Sequence, residues 1–442
     1  MGVRRRGAEL TGSRLLSTSL TSGETAVPRI VGGHGAWFEL ADGRQVIDAS
    51  NTAAPLGHGH PEIVEAVRRA SSGIALNEGW AWTDREDAAD DLIRIAFEDA
   101  DWVGAVRFFV SASEANDVAL ALAQALTGRS ELATRERAYH GGLGLAREMT
   151  TQPQWHGGLA GAGSSSAVPP RLATVHSLPA PAGARVTGQP DPTEGDDWIA
   201  AAEQTLASCA AVLLDYSQGG MYHTPQYQDR VAAAAHAAGA LWIADETVTG
   251  FGRVGGWFQF QHGQARPDMV TMGKCLAAGG APAGAIVLSR ELAELIGSRS
   301  WQTYSTFRGH PAAVAAVRAH LAVSARDQVY RRALDLDGFM LERMQSLAEA
   351  HPGVRRIDGR GLHWTIELHG PAWQSWHGQE SEPLASRVAA LALAAGSLIA
   401  TSGEQTSLFV APPLIASEEE INLIFDALDH GLVLADAKVE AT

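Results

Sequence analysis

A lysine and an aspartate about thirty residues apart are the two side chains of this sequence best set to do chemistry together. Lys274 closes the run Pro267-Asp268-Met269-Val270-Thr271-Met272-Gly273-Lys274, in a glycine-rich loop. Asp245 opens an acidic pair, Asp245-Glu246, at the end of the strand-like run Ala240-Leu241-Trp242-Ile243-Ala244. A lysine amine forms a Schiff base with an aldehyde. A carboxylate facing a pyridine nitrogen keeps it protonated, so that the ring acts as an electron sink. These are the two demands of an aldehyde cofactor such as pyridoxal 5'-phosphate (PLP). Most lysines are solvated surface charges, so the pair carries weight only through its surroundings.

Four stretches meet the remaining demands of a phosphorylated pyridine. Phe108-Phe109-Val110-Ser111-Ala112-Ser113-Glu114-Ala115-Asn116 passes from a strand through small residues into a helix. A helix N-terminus offers free N–H groups and partial positive charge to a phosphate, although a serine there is also an ordinary N-cap. Tyr139-His140-Gly141-Gly142 sets an aromatic ring before flexible glycines; offset stacking on a pyridine contributes about 0.5–1.5 kcal/mol beyond area burial. Packing on the core explains the same ring equally well. Asp245 through Arg253 follows a buried-looking strand, and open α/β sheets bind ligands beyond the carboxyl ends of their strands. Tyr304 through Pro311 is a polar loop before a helix, with Thr306 as a second phosphate contact.

The elements that must position these residues can be read from periodicity. Ala36 to Asp48 reads as a hairpin around Asp42-Gly43, and Glu62 to Ala70 as a helix with a proline at its start. Between about Val103 and Ser289, apolar strands (Val106–Val110, Ala211–Leu214, Leu241–Ala244, Ala285–Leu288) alternate with helices (Glu114–Thr127, Trp198–Ser208, Gln228–Ala238). Such alternation predicts an α/β fold, a mostly parallel sheet flanked by helices. Residues 151–197 are rich in Gly, Ser, Pro and Ala, either a functional loop or a mobile one. Past about residue 330 the pattern shifts to a long helix, Tyr330–Ala350, a strand near Leu362–Leu368, and helices near Leu384–Ala395 and Glu418–Asp436, a smaller α+β domain. The division expected is a flexible N-terminal arm over 1–28, 29–60 joining the small domain, a large cofactor-binding domain over 61–329, and the C-terminal small domain over 330–442.

Composition removes several classes of function. A formal net charge of −16 without a clustered basic face argues against nucleic-acid binding. No stretch approaches the roughly 20 apolar residues of a membrane helix. Cys209 and Cys275 lie far apart without metal-ligand spacing, so neither a metal site nor a disulfide framework is expected. A reducing, cytoplasmic setting fits.

Taken in order, the motifs resemble the class III (ω-type) PLP-dependent aminotransferases of fold type I, from about residue 29 to 435. The resemblance rests on Leu56-Gly57-His58-Gly59-His60-Pro61, Ser111 to Asn116, Thr127-Gly128-Arg129, Tyr139-His140-Gly141, Asp245 to Arg253, Pro267-Asp268 through Lys274, Gly279-Gly280-Ala281-Pro282, Thr306 with Pro311, and Ala411-Pro412-Pro413-Leu414. It implies that Lys274 is catalytic, carrying the cofactor as an internal aldimine and shuttling a proton. It implies that Asp245 pairs with the pyridine nitrogen, Tyr139 stacks on the ring, and Thr247 lies on its other face. Ser111, Ala112 and Ser113 would hold the phosphate, joined by Thr306 from the second subunit of a homodimer with a shared active site. His140 and Val248 complete the expected cofactor-binding set. The substrate is a small-molecule amino compound.

The family's pattern is broken on the substrate side. The arginine that holds an α-carboxylate just before the Ala-Pro-Pro-Leu stretch is Phe409 here. The Glu-Pro-φ-Gln-x-Glu-Gly run becomes Asp215-Tyr216-Ser217-Gln218-Gly219-Gly220-Met221, so the glutamate that gates that arginine is absent as well. A glutamine that often contacts the cofactor's phenolic oxygen is Val248. Losing a bidentate arginine–carboxylate pair removes affinity and orientation together. The donor is therefore expected to be atypical: a carboxylate held elsewhere, or an amine. The alternative is a non-transaminating enzyme of the same fold (racemase or epimerase, aminomutase, or carbon–carbon bond-forming enzyme of specialised metabolism). Trp37, Trp82 and Phe409 are candidate substrate contacts. A degenerate homologue serving as a scaffold is disfavoured by the joint presence of Lys274, Asp245, Tyr139 and Thr306.

Overall fold

The computed structural model describes residues 28–97, 100–152, 155–156, 159–161, 164–167, 170–370 and 383–439. The arm expected over 1–28 lies outside the described residues except for Pro28.

A seven-stranded sheet forms the centre, in the order Val103–Phe109, Gly284–Ser289, Met269–Met272, Leu241–Asp245, Cys209–Asp215, Glu131–Arg135, Val175–Leu178. Its central strand Cys209–Asp215 is buried at every position, as expected of an apolar run covered on both faces. Side chains alternate across it. Leu213, Ile243 and Ile286 meet Ala115, Ala119 and Ala123 of the helix Ala112–Thr127 on one face. Val212, Trp242 and Val287 join the larger cluster on the other, which includes Val231 and Ala235 of the helix Pro225–Ala237 and Val317 of Pro311–Arg326. Burying each such Val, Leu or Ile side chain contributes about 1.5–3 kcal/mol, and this holds the strand ends in place.

All strands of the sheet run the same way except Gly284–Ser289, which is antiparallel to both neighbours. The chain returns from Met272 through the short turn Lys274–Ala277 without a crossover helix, and a strand joined directly must come back antiparallel. That return puts Lys274 at the same sheet edge as Asp215 and Asp245, the carboxyl end of the parallel strands.

A second layer brings chain ends together. The antiparallel strands Ile30–His34, Trp37–Leu40 and Gln45–Asp48 are extended by Ser397–Leu398, which pairs parallel with Gln45–Asp48. Beside them lies a sheet of Val354–Arg360, His363–Leu368, Ser407–Val410 and Ala400–Thr401. The hairpin read over Ala36–Asp48 and the helix read over Glu62–Ala70 are present, the latter as Pro61–Ser71. The single helix expected over Tyr330–Ala350 is two helices, Val329–Asp335 and Asp337–Ala350. At the junction the Asp337 carboxylate accepts from Gly361 N at 2.7 Å and pairs with Arg185, distant partners that no local pattern announces.

Candidate active site

A cleft of about 510 Å³ opens at the carboxyl edge of the sheet. Ser111, Ala112, Ser113, Tyr139, His140, Asp245, Thr247, Val248 and Lys274 all line it. Chain direction explains the convergence: each follows the carboxyl end of a strand, where open α/β sheets leave room for ligands.

Asp245, 6% exposed, ends the strand Leu241–Asp245 inside a network of donors. Its Oδ2 accepts from Asn116 Nδ2 at 2.9 Å and lies 2.8 Å from His140 Nδ1. Its Oδ1 accepts from Thr247 N at 3.0 Å and from the Thr247 hydroxyl. Burial pushes this carboxyl up, but the hydrogen bond and charge of His140 and the two Thr247 bonds outweigh it, holding Asp245 below its ordinary value. It therefore stays ionised, the state that stabilises a protonated ring nitrogen. His140 is wholly enclosed, with Nε2 3.0 Å from Thr134 Oγ1 and 3.7 Å from Asp215 Oδ2. Its covered side chain contacts Asp245 rather than the open space of the cleft. Asp215 is held in turn by Arg135 Nη2 at 2.5 Å and Gln218 N at 2.8 Å.

Lys274 sits in a left-handed backbone conformation (φ 37°) at the start of its turn, a strain that recurs at functional positions. Its side chain is open to the cleft yet ringed by protein. The loss of hydration lowers its amine from the ordinary lysine value, against the opposing pull of Asp245. A lowered amine is more often neutral, and so able to act as nucleophile and base.

At the opposite side, Ser111 caps the helix Ala112–Thr127 by accepting from Glu114 N at 3.2 Å. The cap is thus Ser111, and the Ser113 hydroxyl makes no hydrogen bond among the described residues. Glycines shape this corner. A Cβ on Gly141 (φ 129°) would lie 2.4 Å from Ser113 Oγ, and one on Gly284 would lie 2.4 Å from Ser111 O. The cavity so kept open has free helix N–H groups at one end and a buried carboxylate at the other, which fits a molecule with a phosphate and a basic ring nitrogen. Tyr139 stands between, its ring edge-on to Trp155 at 5.6 Å. Burial and then Asp245 raise its phenol, keeping it neutral.

The remaining sequence candidates lie elsewhere. Trp37 does not line the cleft; its Nε1 donates to Glu420 Oε1 at 2.6 Å, on the final helix Glu418–Val439. Trp82 precedes the helix Thr83–Ala96 and packs on the core with Arg85 5.9 Å over its ring. Phe409 is half-buried on Ser407–Val410, its ring 6.3 Å from His363, and is likewise outside the lining. Thr306 is exposed and makes no contribution to this chain's own cleft. Sequence reasoning missed Asn116, Tyr216 and Gln218 as site residues. Asn116 had a signal: it follows Ser113 by three positions, on the same helix face.

Residues 21–432 match the sequence model of the family described as Aminotransferase class-III. The acetylornithine aminotransferase of Mycobacterium tuberculosis is 33% identical over 405 residues, covering 90% of each chain. Among solved structures, an S-selective transaminase from Bacillus megaterium superposes with a TM-score of 0.87 at 29% identity, covering 96% of each chain. A phospholyase from Arthrobacter in complex with phosphoethanolamine gives 0.77 at 26% identity, covering 92% of this chain and 94% of that one. The fold is that of a PLP-dependent fold type I enzyme. The chain belongs to the class III aminotransferases, and its cofactor is pyridoxal phosphate.

Proposed function

We propose that this enzyme moves an amino group from a donor that it does not bind in the manner of the glutamate-dependent members of its family. The observation that carries the reading is the placement of Lys274 and the ionised Asp245 in one cleft with the helix N-terminus at Ala112. PLP supplies an aldehyde that condenses with amines and a ring that withdraws electrons from the carbon bearing them. Ser111, Ala112 and Ser113 would hold its phosphate, Tyr139, Thr247 and Val248 would enclose its ring, and Asp245 would hold the proton on its nitrogen. Lys274 Nζ takes up and returns the proton of the substrate carbon. Asn116 and His140 keep the Asp245 carboxylate turned toward the cleft.

The donor side differs because Gly220 and Phe409 stand where the family's gating glutamate and carboxylate-binding arginine would be. A Cβ on Gly220 would already lie 2.8 Å from Thr365 Cγ2, so this corner is closed to a larger residue. Phospho-lyase activity in a relative of 26% identity keeps a second reading in view, that of a racemase, aminomutase or carbon–carbon bond-forming enzyme of specialised metabolism. The working unit is a homodimer in this proposal: Thr306 is flanked by exposed Tyr304 and Phe307 (59% and 63% exposed), an apolar surface suited to a second copy. Two buried free thiols, Cys209 and Cys275, suit a cytoplasmic setting. No helix among the described residues is long and apolar enough to cross a membrane.

The test is to mix the PLP-loaded enzyme with a panel of amines and amino acids and read mass and absorbance. Formation of pyridoxamine phosphate with at least one donor other than glutamate supports transamination. Turnover with a persistent pyridoxal spectrum selects the second reading. Efficient half-reactions with glutamate and 2-oxoglutarate would defeat the claim of an atypical donor.

A further inference from the structure

An anion stands at the start of the helix Ala112–Thr127, where a phosphate is expected. Glu114, in the first turn, folds its carboxylate back over the helix start. Its Oε2 accepts from Val110 N at 3.1 Å, while Glu114 N donates to Ser111 Oγ at 3.2 Å. Val110 and Ser111 both line the cleft, so a carboxylate oxygen lies one hydrogen bond away from the lining. An acid in a first turn ordinarily gains from the helix dipole. Here the same end of the helix would receive a phosphate, and a second negative charge beside it opposes that binding.

Arg308 answers that charge from the loop before the helix Pro311–Arg326. Its Nε donates to Glu114 Oε1 at 2.8 Å, its Nη2 lies 2.8 Å from the same oxygen, and its guanidinium sits 4.6 Å over the Phe109 ring. Nη1 donates to Thr303 Oγ1 at 3.1 Å and lies 3.6 Å from Glu78 Oε2. Glu78 is held in turn by Arg107 Nε at 2.8 Å and by Ser305 N at 3.1 Å. Arg107 and Arg308 thus balance Glu78 and Glu114. Taking Arg308 away leaves one cation against two anions. The side chains of Arg308 and Glu114 are only 4% and 16% exposed, so water screens an imbalance there poorly.

We propose that Arg308 is a positioning residue for the cofactor phosphate: by pairing with Glu114 it cancels the negative charge that would otherwise repel a phosphate from the N-terminus of the helix Ala112–Thr127. Arg308 is outside the cleft lining and acts through Glu114, without contact to the ligand. The assignment rests on the reading above that Ser111, Ala112 and Ser113 hold the phosphate. It separates by ligand from a purely structural ion pair. A pair that only braces the fold affects every ligand of the cleft alike, whereas a cancelled charge matters for the ligand that carries a phosphate. It also separates by partner, because the harm done by losing Arg308 comes from the Glu114 charge and disappears with it.

Absorbance titration of the full-length protein with PLP and with pyridoxal, which lacks the phosphate, tests this directly. R308Q should weaken PLP by about 10- to 100-fold, the effect of one uncompensated charge in a poorly screened site, with pyridoxal little changed. R308K keeps the charge and should hold most of the PLP affinity. The double variant R308Q/E114Q should recover most of what R308Q loses, and E114Q alone should bind PLP at least as tightly as the wild type. Should R308Q fail to fold, R308K and E114Q decide between the outcomes. An R308Q protein that binds PLP as tightly as the wild type, or loses PLP and pyridoxal equally, overturns the assignment. So does a double variant that stays as weak as R308Q, an R308K protein that loses most of the PLP affinity, or an E114Q protein that binds PLP more weakly than the wild type. A wild type that binds pyridoxal as tightly as PLP would defeat the placement of the phosphate at this helix, and the assignment of Arg308 would fall with it.

Discussion

Replacing Glu246 by glutamine should alter the pH dependence of stability while leaving the chemistry of its neighbour Asp245 intact. The two acids are adjacent in sequence and shifted in opposite directions. Glu246, 3% exposed, points away from the cleft, accepting from Phe260 N at 2.8 Å and Thr249 Oγ1 at 2.6 Å. Burial raises its carboxyl to about 7, more than those hydrogen bonds lower it, and the charge of Asp245 adds to the rise. In the unfolded chain the same group titrates near 4.5. The folded state therefore binds the proton more tightly. Its stabilising effect is complete below pH 4.5 and is lost as pH rises through 7. A difference of that size corresponds to about 3 kcal/mol at most. Urea unfolding of the PLP-loaded protein and of E246Q at pH 5 and pH 8 isolates it. Wild type should lose up to about 3 kcal/mol more than the variant between the two pH values, because glutamine carries no charge to bury. Equal losses in both proteins would refute the reasoning, since Glu246 would then ionise freely in the fold.

Two substitutions probe the cofactor half of the site. Asn116→Leu removes the hydrogen bonds to Asp245 Oδ2 and the His140 carbonyl; at about 1–3 kcal/mol for a lost bond to a buried charged group, PLP affinity measured by absorbance titration should fall roughly 5- to 150-fold. Unchanged affinity would show that His140 and Thr247 suffice. Gly141→Ala should strain a φ of 129° and drive a methyl into Ser113 Oγ, costing about 1–3 kcal/mol in backbone strain alone, and a thermal melt together with the PLP titration reads both effects.

Much of this protein is written locally. Strand Cys209–Asp215 is an unbroken apolar run, helix Ala112–Thr127 begins at a capping serine, and Asp245 ends a strand that feeds a loop; each follows from periodicity and capping, which depend on near neighbours. That is why the α/β class, the sheet edge at which a ligand sits, and the candidacy of Lys274, Asp245 and Tyr139 could be read from residue order. The partners could not. Asp245 is met by Asn116 from 129 positions away and by His140 from 105, and Trp37 is taken from the cleft by Glu420, 383 positions distant. Strand Gly284–Ser289 runs backwards because its connection is too short for a crossover, a constraint visible only once its neighbours are known. Hydrogen-bond partners, burial and the pKa values they set depend on which surfaces meet, and a sequence specifies those meetings only through the whole fold. Sequence alone therefore determined the scaffold and singled out the candidate lysine Lys274, whereas tertiary structure decided which carboxylate stays charged and which indoles face the core.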